Sequence, residues 1–356
     1  MSAITIKDVA TRAGVSTKTV SRVINGERHV RPQVRDAVLR VVDDLDYRPN
    51  AFARSLSSSR SYLLGLFIDD PTTGYAADIQ LGALTRCRER SYHLVVEPLD
   101  RTAPDRADIL AKIVRDLRLD GAILAPPLCD DVVLLDVLDA ANLPYVRISP
   151  HGEPERSGLV FMDDEAAARE MTEHLIALGH TDIGFIEGDP GHNVSAERKR
   201  GFMAAMAAAA LPVNTAHVLV GDFNIRSGLT LGDQLLAAPN RPTAVFASND
   251  EMALGVLITA IRLGLAVPAD VSIVGFDDAP LARAAWPRLT TVRQPKAQMA
   301  AAAVDLLVDP RYRGDIQAPE FKTLLGYEIV LRESAGLAPV SRVVAGEGLE
   351  PPTPGL

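Results

Sequence analysis

The sequence predicts an α/β protein, with a small helical unit at the N-terminus followed by a larger, two-lobed, doubly wound body. Three observations carry this. Residues 4–25 read as two short amphipathic helices folded across a tight turn. From 62 onward, short apolar runs alternate with stretches of helical period. The charge is also divided unequally between the two parts.

In the first stretch, Thr5 can cap a helix, and Asp8 three residues on completes a capping box. Val9, Ala10 and Ala13 supply the inward face, Gly14 suits a helix C-terminus and Val15 plugs the corner. Ser16 is placed to cap a second helix whose inward residues are Val20, Val23 and Ile24. Outward stand Thr17, Lys18, Ser21 and Arg22, the hydrogen-bonding groups and cations that read base edges and phosphates. A plain helical hairpin kept soluble by its Lys and Arg fits the same periodicity. The residues that follow favour DNA. Val30, Arg31 and Pro32 open a third helix, and Val34, Val38, Val41, Val42 and Leu45 give it an apolar stripe, enough to close a small core. A short helix capped by Asn50 follows, with the exit Ser57-Ser58-Ser59.

The body begins with apolar runs at 62–68, 93–96, 121–124 and 145–148, separated by helical stretches over 79–90, 109–117 and 132–141. A second series has strands at 159–161, 183–186, 218–220, 244–246 and 271–274, and helices over 166–178, 198–210, 225–236 and 251–263. Continuous apolar strands alternating with helices mean parallel sheets covered on both faces, and two such halves leave a crevice between them for a ligand.

At 356 residues the chain exceeds one ordinary core. Its net charge of −9 would argue against nucleic acid if it were evenly spread. Residues 1–60 hold 11 basic and 6 acidic side chains, net +5, which leaves 26 of the 37 basic and 40 of the 46 acidic residues, net −14, for the remainder. A basic head on an acidic body suits DNA binding by one end. Cys87 and Cys129 lack metal-ligand spacing and fit a reduced, cytoplasmic protein. There is no secretory run near the N-terminus and no apolar stretch of membrane-spanning length, so no membrane association is expected.

From Thr5 to Leu56 the chain resembles the lactose/galactose repressor family of bacterial transcription regulators, and the likeness runs on to about residue 335. The phrases DVA, AGVS, TVSRV, NG, V-x-P and YRPN-x-x-A-R-x-L fall in family order and spacing. The resemblance implies a helix-turn-helix DNA-binding domain over 1–59 whose second helix reads the major groove, with Thr17, Lys18 and Arg22 at base-reading positions and Thr5, Ser16, Thr19, Ser21 and Asn25 also at the DNA. It implies a hinge helix at about 50–58 that brings Asn50 and Ala53 to the operator and wedges Leu56 into the minor groove, where an apolar side chain unstacks a base step and bends the duplex.

For residues 60–336 the resemblance implies an effector-binding and dimerising domain like the two-lobed periplasmic sugar-binding proteins, with the chain crossing between lobes near 161, 290 and 321. Family phrases persist there as HLIALGH (174–180), ASNDEMALG (247–255), SIVGFDD (272–278) and LTTVRQP (289–295). By the same resemblance Arg198, Asn249 and Asp277 are polar clamps on a small effector and Phe223 a stacking aromatic, with Asp69, Asp70, Ser149, Phe161 and Gln294 as further contacts. Multidentate planar groups suit adjacent hydroxyls, and an aromatic face suits the C–H side of a sugar ring. For each polar position a helix cap or loop hydrogen bond is the plain alternative.

One departure bears on the ligand. Many relatives close Leu-Pro-x-x-x-x-Asp with an acid, whereas this chain ends the phrase Leu143-Pro144 through to Ser149, with Arg147 two residues earlier on the same strand face. A neutral Ser149 removes a group that would repel a carboxylate, so a carbohydrate effector is expected here with an acidic sugar or sugar derivative favoured over a plain neutral one. Arg147 adds attraction if it faces the crevice and none if it sits at a dimer surface paired with an acid.

The stretch 337–356, with Pro351-Pro352 and Pro354-Gly355, reads as a disordered tail that adds no oligomerising helix, so a homodimer on an inverted-repeat operator is expected rather than a tetramer. An enzyme using a nucleotide is disfavoured, because Asp69-Asp70-Pro71 and Glu187-Gly188-Asp189 stand where a glycine-rich phosphate loop would be. A transport component is disfavoured by the basic head. His180, after Gly179, reads as a helix-end cap, and neither it nor His192 has a nucleophile in view. No cofactor and no metal are expected.

Overall fold

The computed structural model describes residues 4–24, 30–47, 60–312 and 321–339. The chain divides into two compact units, Met1–Tyr62 and Leu63–Leu356.

In the first unit, helices Ile6–Ala13, Thr17–Ile24 and Pro32–Asp44 enclose a core of Val9, Ala10, Val20, Val23, Val38 and Tyr47. The capping chemistry explains where they begin and end. The Asp8 carboxylate accepts both the backbone N–H and the hydroxyl of Thr5 at 2.7 Å. Gly14 takes φ 66°, the left-handed conformation that lets the chain turn sharply toward the second helix. Ser16 Oγ then accepts the Thr19 N–H at 3.1 Å, satisfying a donor that the helix itself cannot.

The second unit holds two parallel sheets. Strands β1 (Leu63–Ile68), β2 (His93–Pro98), β3 (Gly121–Leu124), β4 (Tyr145–Ile148), β5 (Gly158–Phe161) and β11 (Lys322–Leu324) form one, in the order β11-β5-β4-β3-β1-β2. Strands β6 (Ile183–Glu187), β7 (Val218–Val220), β8 (Ala244–Ala247) and β9 (Ser272–Val274) form the other, in the order β7-β6-β8-β9. All residues of β3, β4 and β8 are buried, as helices on both faces require. The chain leaves the first sheet after Phe161 and returns through β10 (Thr291–Arg293). It leaves again after β11, so that β12 (Glu328–Val330) pairs antiparallel with β10. The third crossing therefore falls after Leu324 rather than near 321, because 322–324 adds an edge strand to the first sheet.

Close helix contacts fix the second lobe. Helix Asp164–Ala177 packs on helix Asn193–Ala208 so tightly that a Cβ on Gly201 would come within 2.1 Å of the Glu165 carbonyl oxygen. That approach sets Arg198, one turn before Gly201, against Asp164. His180 is a buried bolt as well as a helix-end residue. Its Nδ1 lies 2.9 Å from Thr243 Oγ1, and its Nε2 lies 3.1 Å from both Ser272 Oγ and the Gly336 carbonyl. A carbonyl can only accept, so Nε2 carries the proton.

Candidate functional site

The carboxyl ends of both sheets face one cavity of about 530 Å³. From the first lobe, β1 delivers Asp69 and Asp70, β3 is followed by Ala125-Pro126-Pro127, and β4 by Ser149. From the second lobe, the strand ends deliver Asp189, Asp222, Phe223, Asn249 and Asp277, while helix Asn193–Ala208 supplies Val194 and Arg198.

Arg198 is the anchor of the second lobe. It is almost fully buried, with Nε donating to Asp164 Oδ1 at 2.9 Å and Nη1 to the Ser248 carbonyl at 2.6 Å. Its guanidinium carbon lies 3.7 Å from the Phe276 ring centroid and 5.9 Å from that of Phe223. Burial pushes the Asp164 carboxyl up to about 6, although Arg198 draws it the other way. Nη2 also lies 2.9 Å from Asp164 Oδ1, so the guanidinium is held in one orientation where it lines the cavity.

Asp277 accepts Gln294 Nε2 at 2.5 Å, and burial raises its carboxyl above the usual range, Lys296 and Arg198 opposing. Asn249 is committed twice. Its Oδ1 caps helix Asp250–Arg262 by accepting the Met252 N–H at 2.9 Å, and its Nδ2 donates to the Phe223 carbonyl at 2.7 Å. It therefore shapes the wall by pinning the loop that carries the aromatic. Asp69 accepts the Arg101 N–H at 3.0 Å.

Three cavity residues have positive φ without being glycine: Ser149 at 49°, Phe223 at 66° and Asp277 at 119°. Such conformations cost on the order of 1–3 kcal/mol each and concentrate where a side chain must be aimed rather than merely packed.

Eight of the nine effector positions named from sequence (Asp69, Asp70, Ser149, Arg198, Phe223, Asn249, Asp277 and Gln294) line this cavity. Phe161 does not. It ends β5, paired with Leu324 of the edge strand β11. Sequence reading missed Tyr75 because it began that helix at 79. The Thr73 hydroxyl caps helix Gly74–Glu89 by accepting the Ala76 N–H at 3.2 Å, which places half-buried Tyr75 in the first turn. The Thr73 cap was the available signal. His192, set aside as lacking a nucleophile, also lines the cavity with its ring edge-on to Phe223, and burial pushes its pKa down.

Arg147 takes neither orientation considered from strand parity. It is buried, donating to Ser157 Oγ at 2.8 Å and to the carbonyls of Gly152 at 2.9 Å, Glu153 at 2.5 Å and Cys129 at 3.4 Å, with Asp130 3.7 Å away. Five donors in a rigid fork suit a loop that turns its carbonyls inward, where they would otherwise lack partners. Arg147 therefore holds the 149–157 loop and adds no positive charge to the cavity. The lining carries six carboxylates, Asp69, Asp70, Asp189, Asp222, Glu251 and Asp277, against Arg198 and His192.

In the first unit Thr5, Ser16, Thr17, Lys18 and Arg22 are exposed, and Thr19 and Ser21 half-buried. Ser16 and Thr19 share a 2.9 Å hydroxyl contact within the helix cap. Asn25, Asn50, Ala53 and Leu56 lie outside the described residues.

Comparison with known proteins bears on both units. Residues 5–50 match the family model of bacterial regulatory proteins, lacI family, and residues 172–335 match a periplasmic binding protein-like domain. The transcriptional repressor PurR of Photobacterium profundum is 35% identical over 308 residues, 86% of this chain and 91% of that protein. This chain belongs to the lacI family of bacterial regulatory proteins. A probable repressor, ExuR of Bacillus subtilis, is 31% identical over 93% of this chain and 98% of its own length. Among solved structures, the regulator CelR in complex with cellobiose superposes with a TM-score of 0.71 at 34% identity, covering 93% of this chain and all of that one. The lac repressor dimer bound to operator and an anti-inducer gives 0.75 at 27% identity, over 94% of this chain and all of that one. The protein is a DNA-binding transcriptional repressor that responds to a small-molecule effector. Among the described residues no helix is long and apolar enough to cross a membrane, and no group of three or more His, Cys, Asp or Glu could hold a metal.

Proposed function

We propose that the chain acts in the cytoplasm as a homodimer on an inverted-repeat operator of carbohydrate-utilisation genes, and that a neutral, polyhydroxylated ring bound between the lobes sets its affinity for DNA. The exposed Thr17, Lys18 and Arg22 supply the groups that read base edges, with Thr5, Ser16, Thr19 and Ser21 beside them. By family resemblance Asn25 and the hinge residues Asn50, Ala53 and Leu56 complete the contact. The homodimer is supported by the lac repressor neighbour, which is a dimer on its operator.

The observation that carries the ligand reading is the pairing, in one cavity, of the fixed Arg198 guanidinium with Phe223 and six carboxylates. Carboxylates accept from ring hydroxyls, and the aromatic covers the ring's C–H face. The same lining disfavours the acidic sugar that the Ser149 departure suggested, since Arg147 is occupied elsewhere and, with Asp69 and Asp189 beside Arg101, a ligand carboxylate would still meet Asp70, Asp222, Glu251 and Asp277. The CelR–cellobiose neighbour supports a neutral sugar.

The test is a thermal-shift panel of neutral mono- and disaccharides, their uronic acids and free purine bases. A neutral sugar should stabilise the protein, and Arg198→Ala or Asp277→Ala should lose that shift while still binding operator DNA. Stabilisation by a uronic acid or a base alone would reject the neutral-sugar reading.

A further inference from the structure

A single arginine, Arg101, ties the two lobes together across the cleft. Arg101 lies in the turn after β2, in the first lobe. Its Nη2 donates to Asp189 Oδ2 at 2.5 Å, across the cleft in the second lobe, and its Nε stands 3.9 Å from Asp69 Oδ2 in its own lobe. The backbone N–H of the same residue donates to Asp69 Oδ1 at 3.0 Å. Both carboxylates line the cavity, so one guanidinium lies between an acid from each wall.

The receiving loop is built for this contact. Asp189 also accepts the Gly191 N–H at 2.7 Å, and its carbonyl accepts the Ser195 hydroxyl at 2.7 Å, which fixes the turn. A Cβ on Gly191 would fall 1.8 Å from Arg101 Nη1, so the guanidinium lies against bare backbone. Two further contacts from the first lobe reach the same short stretch. Asp130 Oδ2 accepts Asn193 Nδ2 at 2.7 Å, and His151 Nδ1 lies 3.0 Å from Glu197 Oε1. Three loops of one lobe thus converge on residues 189–197 of the other. His151 rides on the 149–157 loop that Arg147 holds, which gives that buried arginine a place in the same arrangement.

We propose that Arg101 is a positioning residue of the effector cavity: by bridging Asp69 and Asp189 it holds the two lobes closed before any ligand is present. The pair is partly exposed, and solvent screening keeps its contribution to folding small. This one spans two bodies that must move apart, so its effect falls on the ratio of closed to open lobes. A ligand that needs the closed form binds more weakly in proportion to the fraction of protein that is open. The inference depends on the two-lobed cavity and not on the ligand's identity.

The test uses the full-length chain without ligand. Spin labels are placed on Asp108→Cys in the first lobe and Met203→Cys in the second, both exposed, while the native Cys87 and Cys129 are buried. Labelled chains are diluted with unlabelled protein, and the distance between labels is read by pulsed electron resonance. The parent should give one narrow distribution. Arg101→Gln and Asp189→Asn should each broaden and lengthen it, the double variant should go no further than either single one, and Arg101→Lys should restore part of the closed population. All variants should melt as the parent does. A distribution unchanged in Arg101→Gln, or a parent that is already open, would overturn the proposal. So would a loss of the melting transition in both Arg101→Gln and Arg101→Lys, since that would make the residue a folding element.

Discussion

Arg198 and Asp164 form a charged pair with almost no exposure to solvent, joined through Nε at 2.9 Å while the Ser248 carbonyl holds a second corner of the guanidinium. Asp164→Ala would strand that cation in the interior and should cost about 3–5 kcal/mol. Chemical denaturation measures this directly. Asp164→Ala combined with Arg198→Met should cost less than the sum of the two single changes, because the second removes the stranded charge.

The same pair depends on how closely its two helices approach. Gly201→Ala pushes a methyl onto the Glu165 carbonyl and should cost about 1–3 kcal/mol. If the helices separate to accommodate it, Arg198 moves with them and ligand-induced stabilisation should fall in parallel. A variant as stable as the parent would show that the helices do not pack this tightly.

Much of this fold is legible in the chain. The Thr5, Asp8, Gly14 and Ser16 signals are local, and each marks a helix end that the structure also shows. The strands of the body announce themselves as apolar runs because both faces of each sheet are covered. Arg147 was not legible, since strand parity gives the side of departure but not the inward carbonyls of a loop five and six residues away. Arg101 and Asp189 stand 88 positions apart, and no periodic pattern links residues at that range. Tyr75 lies about one turn ahead of the point where the apolar period of its helix becomes readable.

Asp250 offers a pH test. It is fully buried, accepts the Thr291 hydroxyl at 2.6 Å and the Ala279 N–H at 2.7 Å, and burial, with Asp277 adding to it, pushes its carboxyl up to about 8. An acid whose folded pKa lies above its unfolded value contributes most stability at low pH and loses it as pH rises toward the folded pKa. Between about pH 4 and 8 the parent should therefore lose stability relative to Asp250→Asn, in which this dependence is absent. Parallel stability–pH curves for the two proteins would contradict the raised carboxyl.

On the DNA face, Lys18→Ala and Arg22→Ala should each weaken binding to a selected operator by about 1–3 kcal/mol if they contact base edges. If either contacts phosphate instead, the loss should be uniform across sequences and the salt dependence shallower by about one unit. Fluorescence anisotropy at several salt concentrations separates the two cases. Both variants should leave the melting of the body unchanged, because the described core of the first unit contains neither side chain.

Selection of bound sequences from random double-stranded DNA with the intact chain tests the proposed dimer that reads DNA through its N-terminal unit. The expected result is enrichment of one inverted repeat, lost in Lys18→Ala combined with Arg22→Ala. Enrichment of a lone, non-palindromic half-site, or of no sequence at all, would contradict it.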